Sequence, residues 1–247
     1  VAVPTTSGTG SEVGRASVIT DQAQHLKRLI FHPKMLPSIV ILDPELTVGL
    51  PPKLTAATGM DALSHALEAY CANYYHPMAE GVALEAIRLI KNHLPKAVAN
   101  GSDLEARAQV MVSSTMGATA FQRGLGGMHA LAHSLGALYD SHHGLLNAVL
   151  MPYVLKANCS AIEPRIERLA RYLELNDSSF DGFLQWILAL RAELGIPHSL
   201  SEIGIDSLQI EKIGQMAVED GAAGGNPIEL SAQQYSALCL AAIEGEL

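Results

Sequence analysis

Along most of the chain, apolar residues return every three or four positions, the spacing that lines one face of a helix. This pattern predicts helices over Thr55 to Tyr70, Met78 to Asn92, Asp103 to Ala120, Leu125 to Leu138 and Leu145 to Cys159. Further helices are expected from Pro164 to about Tyr172, from Phe180 to Leu194, from Ser207 to Glu219 and from Ser231 to Glu244. Breaks fall at Leu94-Pro95, at Asn100-Gly101-Ser102, over Asp140 to Gly144 and at Gly195, and Gly221 to Pro227 reads as a loop. Ser231 is a good N-cap, because its hydroxyl can accept from the unpaired amides of a first turn.

Before residue 50 the pattern is different. The short apolar or β-branched runs VAVP, ASVIT, LKRLIF and SIVILD read as strands, with SIVILD the clearest and ended by Asp43-Pro44. DQAQ is a polar turn between two of them, and TTSGTGSEVG is a Gly-rich loop with unusual backbone freedom. A few strands with no crossover helices cannot bury a core by themselves. The sequence therefore predicts a mainly α protein, a small β-rich stretch over residues 1–50 followed by an all-helical domain over residues 51–247. The abrupt apolar start, with no initiator Met, leads us to expect that the strands belong to a larger sheet domain and that the chain is a fragment.

Composition narrows the function. The chain has 247 residues, 49% of them hydrophobic and 17% charged, so a sizeable core is available. The net charge of -9 argues against nucleic acid or an anionic membrane as partner, since both call for a basic patch. Three widely spaced cysteines, Cys71, Cys159 and Cys239, offer neither a disulfide framework nor a thiolate metal site and point to a reducing, cytoplasmic setting. No apolar run reaches membrane-spanning length.

The chemistry concentrates in GGMHALAHSLGALYDSHH, Gly126 to His143, which holds His129, His133, His142 and His143. His129 and His133 are four apart and share a helix face; Asp61 and His65 repeat that spacing in TGMDALSHALEAY. Such a pair alone is more often packing or surface chemistry than a ligand pair, and Asp61 could simply complement a helix start. Two such pairs in apolar, small-residue surroundings make a shared divalent-metal site a real candidate, because a buried carboxylate or imidazole is costly unless paired. The hydroxyls and free amides of TTSGTGSE suit phosphate or ribose contacts, although Gly8, Gly10 and Gly14 do not form a dinucleotide fingerprint.

Four strings in order, VAVPTTSGTGSEV, ILDPELTVGLPP, TGMDALSHALEAY and GGMHALAHSLGALYDSHHGLLNAVLMP, resemble the iron-containing (group III) alcohol dehydrogenase family over nearly all of residues 1–160. The resemblance implies a dehydroquinate synthase-like architecture. An N-terminal α/β dinucleotide-binding domain would be represented here only by its last strands, without its GGGS loop, ahead of a helical metal-binding domain. It implies metal ligands Asp61, His65, His129 and His143, and a non-ligating His133 near the nicotinamide that helps relay a proton. His142 matches no ligand position. Thr5 and Thr6 match cofactor-contacting threonines, and Val18, Lys27 and Leu46 fall on the cofactor side. The implied cofactors are Fe(II), with Zn(II) compatible with the same oxygen and nitrogen donors, and NAD or NADP. The implied reaction is hydride transfer between an alcohol or aldehyde and nicotinamide, in a homo-oligomeric enzyme, with the isolated chain inactive.

Two other readings compete. A metal hydrolase or lyase could use the same Asp/His set with Glu68, one turn beyond His65, as general base. A non-catalytic helical module could hold its histidines in satisfied core hydrogen bonds. Trp186, Met111, Met116 and Cys71 read as packing residues.

Overall fold

The architecture was obtained as a computed structural model, which describes residues 1–21 and 26–247, with the backbone alone at 20, 21 and 26–29. The described residues form eight α-helices and one two-stranded sheet. The helices are α1 (Pro52–Cys71), α2 (Pro77–Ala99), α3 (Leu104–Ala120), α4 (Gly127–Tyr139), α5 (His143–Tyr172), α6 (Phe180–Glu193), α7 (Ile210–Glu219) and α8 (Ala232–Glu244). The strands β1 (Ala16–Asp21) and β2 (Leu26–Phe31) pair antiparallel, with Ala16 opposite Phe31 and Val18 opposite Leu29. The expected DQAQ turn lies for the most part outside the described residues.

Helix α1 is the axis of the molecule. It opens with Pro at its first position, where a missing N–H costs nothing. From Thr55 onward it is buried on almost every side, with the carboxyls of Asp61 and Glu68 and the imidazole of His65 carried into the interior. Small residues let its neighbours approach: a Cβ on Gly59 would lie 2.2 Å from Leu94 of α2, and one on Gly117 of α3 would lie 3.1 Å from the Ala62 carbonyl. The core continues through Leu63, Leu67, Ile87, Ile90, Leu131, Leu150, Ile166 and Phe183. Trp186 is partly buried and packs on Phe183 at 5.2 Å between ring centroids, while Met111 and Cys71 are buried.

Three prolines are carried inside helices, among them Pro95, which reads as a break, and Pro164, which reads as a helix start. Pro95 lies within α2, and Pro152 and Pro164 lie within the single 30-residue α5, which replaces the two helices expected there. Each internal proline forfeits a backbone hydrogen bond, at about 3 kcal/mol in an isolated helix. Burial of Leu146, Val149, Leu150, Val154, Leu155, Ile162, Ile166 and Leu169 along α5 outweighs that loss. Joined across its prolines, α5 is by length and composition apolar enough to cross a membrane, contrary to expectation, but most of that stretch is buried inside the protein.

The strand forecast is half met. ASVIT and LKRLIF are the two strands, whereas VAVP and SIVILD contribute only one parallel bridge between Ala2 and Val40. Val3, Ile39 and Ile41 are exposed there, so those runs gain little burial to hold a sheet. The Gly-rich loop is not free. Gly10 has φ +59°, and a Cβ on it would lie 2.2 Å from Ala118 Cβ and 2.6 Å from the Ser114 carbonyl of α3. Buried Glu12 accepts from Thr115 Oγ1 at 2.7 Å, and Gly8 abuts Thr58 of α1. At the other end of the chain, Ser231 caps α8 in a reciprocal capping box with Gln234.

We expect Gly10→Ala to destabilise the protein by about 1–3 kcal/mol, because the added methyl meets backbone in a left-handed conformation. Urea unfolding should show a lower midpoint with an unchanged slope.

Candidate metal centre

The centre is assembled by α1, α4 and the start of α5. On α1, Asp61 and His65 lie one turn apart and are both buried. On α4, His129 is buried and His133 half-buried. His143 is the first residue of α5, and it is brought over α1 by Gly144: a Cβ there would lie 2.4 Å from the Ala57 carbonyl and 3.0 Å from Asp61 Cβ. Only glycine permits that approach.

Asp61, His65 and His129 each offer a ligand atom, and these atoms lie within 4.8 Å of one another. His143 reaches the group from its more open side, Nε2 standing 3.6 Å from Asp61 Oδ1. The rings crowd together: His65 stacks on His129 at 4.6 Å, and His133 stacks on His143 at 5.3 Å with 13° between planes. Asn147, one turn after His143, donates through Nδ2 to Asp61 Oδ1 at 2.9 Å. The same nitrogen lies 3.2 Å from His129 Nε2 and 3.2 Å from His143 Nε2. One point thus lies within hydrogen-bond reach of a carboxylate and two imidazole lone pairs.

The electrostatics fit a cation. Burial opposes the Asp61 charge, but the imidazoles of His65, His143 and His129 and the Asn147 amide hold its carboxyl below its ordinary value. Burial drives His129 well below the usual imidazole value and His143 down to about 3, so both rings are neutral with a lone pair available. His65 Nδ1 and Asn147 Oδ1 are buried without a hydrogen-bond partner. Buried polar atoms are normally paired, so orphans beside a carboxylate indicate an unmet demand for a ligand. One carboxylate oxygen and three imidazoles are a donor set suited to Fe(II) or Zn(II).

The surrounding groups are Glu68, which spacing offers only as a general base, and residues that spacing does not single out. Glu68 is buried and occupied: it accepts from Gly126 N at 2.8 Å, Met128 N at 2.7 Å and His129 Nδ1 at 2.7 Å. Burial raises its carboxyl to about 7. A water-activating general base would need an oxygen turned to the centre, whereas both Glu68 oxygens are engaged by α4 and the turn before it. Asn226, from the loop after α7, accepts from Gly127 N at 3.0 Å and exchanges two hydrogen bonds with Asn158 of α5. Asp220, at the end of α7, accepts a hydrogen bond from His133 Nδ1 at 3.0 Å. Spacing ties Glu68 to His65, but no local signal links it to His129, or positions 158, 220 and 226 to the centre, since the contacts 68–129, 133–220 and 127–226 span 61, 87 and 99 residues. His142 is given a structural task, its Nδ1 capping α5 by accepting from Leu145 N at 3.3 Å.

The remaining residues lie toward the N-terminal part. Thr5 and Thr6 are exposed on a loop whose next residues, Ser7 and Gly8, are buried against α1. Val18 on β1 is 51% exposed and Leu46, in the short 3-10 turn Pro44–Thr47, is 47% exposed. Lys27 pairs with Thr20 in the hairpin register, but its side chain lies outside the described residues.

Comparison with known proteins gives a consistent relationship. A family model described as "Fe-containing alcohol dehydrogenase family, C-terminal" matches residues 55–243, and one described as "Iron-containing alcohol dehydrogenase" matches residues 1–44. The chain is 41% identical over 245 residues to 4-hydroxybutyrate dehydrogenase of Cupriavidus necator, covering 95% of this chain and 63% of the relative. It is 41% identical over 237 residues to NAD-dependent methanol dehydrogenase of Bacillus methanolicus, covering 92% of this chain and 61% of the relative. The crystal structure of a 1,3-propanediol oxidoreductase superposes with a TM-score of 0.94 at 39% identity, covering 98% of this chain and 65% of the other. The chain thus spans about three fifths of the length of the relatives it matches.

Truncating Asn226 to Ala should cost about 1–3 kcal/mol, since it strands the Gly127 amide and the Asn158 side chain in the core. Chemical denaturation of the variant beside the parent checks this.

Proposed function

The chain belongs to the iron-containing alcohol dehydrogenase family, and from that premise we propose that it carries the metal-binding part of an NAD(P)-linked alcohol dehydrogenase. The observation that carries this reading is the convergence of Asp61, His65 and His129 donor atoms within 4.8 Å, with His143 3.6 Å from Asp61, in a buried pocket. We assign these four residues as ligands of Fe(II), with Zn(II) served by the same donors. A divalent ion bound there supplies Lewis acidity that favours ionisation of an alcohol hydroxyl, and a nicotinamide supplies the hydride acceptor.

The chain's own residues have separable tasks. Asp61 contributes the one charged donor, and its orientation is held by Asn147. His65 and His129, stacked and buried, keep the inner side of the pocket dry. Keeping water out strengthens every charge interaction within. His133 donates a hydrogen bond from Nδ1 to Asp220, which leaves Nε2 to exchange a proton with the alcohol hydroxyl. Thr5 and Thr6, exposed at the edge of a loop wedged against α1 and α3, are assigned to the cofactor, with Val18, Lys27 and Leu46 on the same side. Residues 1–50 would then belong to the cofactor-binding domain and residues 51–247 to the metal-binding one. Substrates would be alcohols or aldehydes, the assembly a homo-oligomer, and the setting cytoplasmic, in keeping with three free cysteines. We expect the 247 residues alone to turn over no alcohol, because they span only part of what their relatives use.

Metal analysis of the anaerobically purified chain tests this. About one iron or zinc per chain is expected, one ion being what a single four-donor site holds. His143→Ala and Asp61→Ala should lose the ion while retaining helical circular dichroism, and His133→Ala should keep it. Full metal content in the first two variants would sink the ligand assignment, and loss in the third would make His133 a ligand.

A further inference from the structure

We propose that Glu68 is the positioning residue of the centre. Its carboxylate fixes the His129 proton on Nδ1 and thereby keeps Nε2 open as a metal donor, while the same two oxygens seat the N-terminus of α4. This inference rests on the metal reading above and adds a residue to it.

The geometry leaves little choice of protonation. Glu68 lies three residues after His65 and seven after Asp61, so it shares their face of α1. Its Oε2 receives Gly126 N at 2.8 Å and His129 Nδ1 at 2.7 Å, and its Oε1 receives Met128 N at 2.7 Å. A backbone N–H points at each oxygen, which favours the acceptor-only carboxylate, and an acceptor-only carboxylate places the His129 proton on Nδ1. The opposite side of the ring agrees independently: Nε2 lies 3.2 Å from the Asn147 amide nitrogen, which donates. Both neighbours demand one tautomer, with the lone pair on Nε2 directed into the pocket.

The second task follows from the helix end. The first amides of a helix have no partner within it, and the N-cap of α4 is Gly126, which has no side chain to supply one. Glu68 closes that end from another helix, where a negative charge also complements the macrodipole. Asn226 takes the one amide between, that of Gly127. A single buried carboxylate therefore ties α1 to α4 and sets the ring that α4 carries.

The test is Glu68→Gln, which keeps size and removes charge. A glutamine nitrogen at the Oε2 position would face Gly126 N–H and force the His129 proton onto Nε2. A nitrogen at the Oε1 position would face Met128 N–H. Either arrangement loosens the donor. We expect Zn(II) to bind the variant roughly 10–100-fold more weakly than the parent, as when other hydrogen-bond partners of ligating histidines are lost. Zn(II) affinity would be read by competition with a chromophoric chelator. The tautomer would be read from imidazole nitrogen NMR of the full chain, where the parent should show His129 protonated at Nδ1. Asn226→Ala controls for mere loosening of α4: it should lose stability and keep its Zn(II) affinity. Equal affinity in Glu68→Gln and parent, an equal loss in Asn226→Ala, or a parent His129 protonated at Nε2 would each overturn the proposal. If the parent takes up no Zn(II), the metal reading itself falls, and the NMR spectrum still decides whether Glu68 sets the tautomer.

Discussion

Two carboxylates on a helix buried on almost every side are the constraint from which the rest of this structure follows. Asp61 and Glu68 are two turns apart on α1, and neither reaches water. An isolated buried carboxylate costs several kcal/mol, so each must be met by positive or hydrogen-bonding groups brought from elsewhere. Glu68 is met by the N-terminus of α4 and by the ring of His129. Asp61 is met by Asn147 and by the start of α5, pressed against α1 through Gly144. The packing of the three helices and the gathering of the histidines are thus one arrangement seen from two sides.

That arrangement divides labour between groups that face the pocket and groups that hold them. His129 is oriented by Glu68, His133 by Asp220 and Asp61 by Asn147. Asn226 and Asn158 brace the turn from which α4 begins. The holding groups come from α1, α5 and the segment after α7, so the C-terminal third of the chain supports a centre whose facing residues end at position 147. This explains why an apparently featureless helical tail belongs to the same compact unit.

Local physics was legible where burial and local propensity agree. The helix faces of α1, α3, α4, α6 and α8 follow from the spacing of apolar residues, and so does the capping of α8 by Ser231. The i, i+4 pairs Asp61/His65 and His129/His133 share faces as helical geometry requires. Local rules failed where tertiary burial outweighed them. Pro95 reads as a break and Pro164 as the start of a new helix, and both lie inside helices. SIVILD, the most strand-like run by composition, forms only a bridge, for want of described neighbours to pair with.

By itself the sequence determined the class of the fold and the residue types that could meet a divalent ion, because side-chain periodicity and donor chemistry are properties of short stretches. It also carried the motifs by which the family resemblance was drawn. Only the tertiary structure decided that Glu68 is locked behind His129, that His142 caps a helix and that Asp220 and Asn226 reach back to α4. Those contacts join residues far apart in the chain, and nothing in a local pattern records which buried donor will satisfy which buried acceptor.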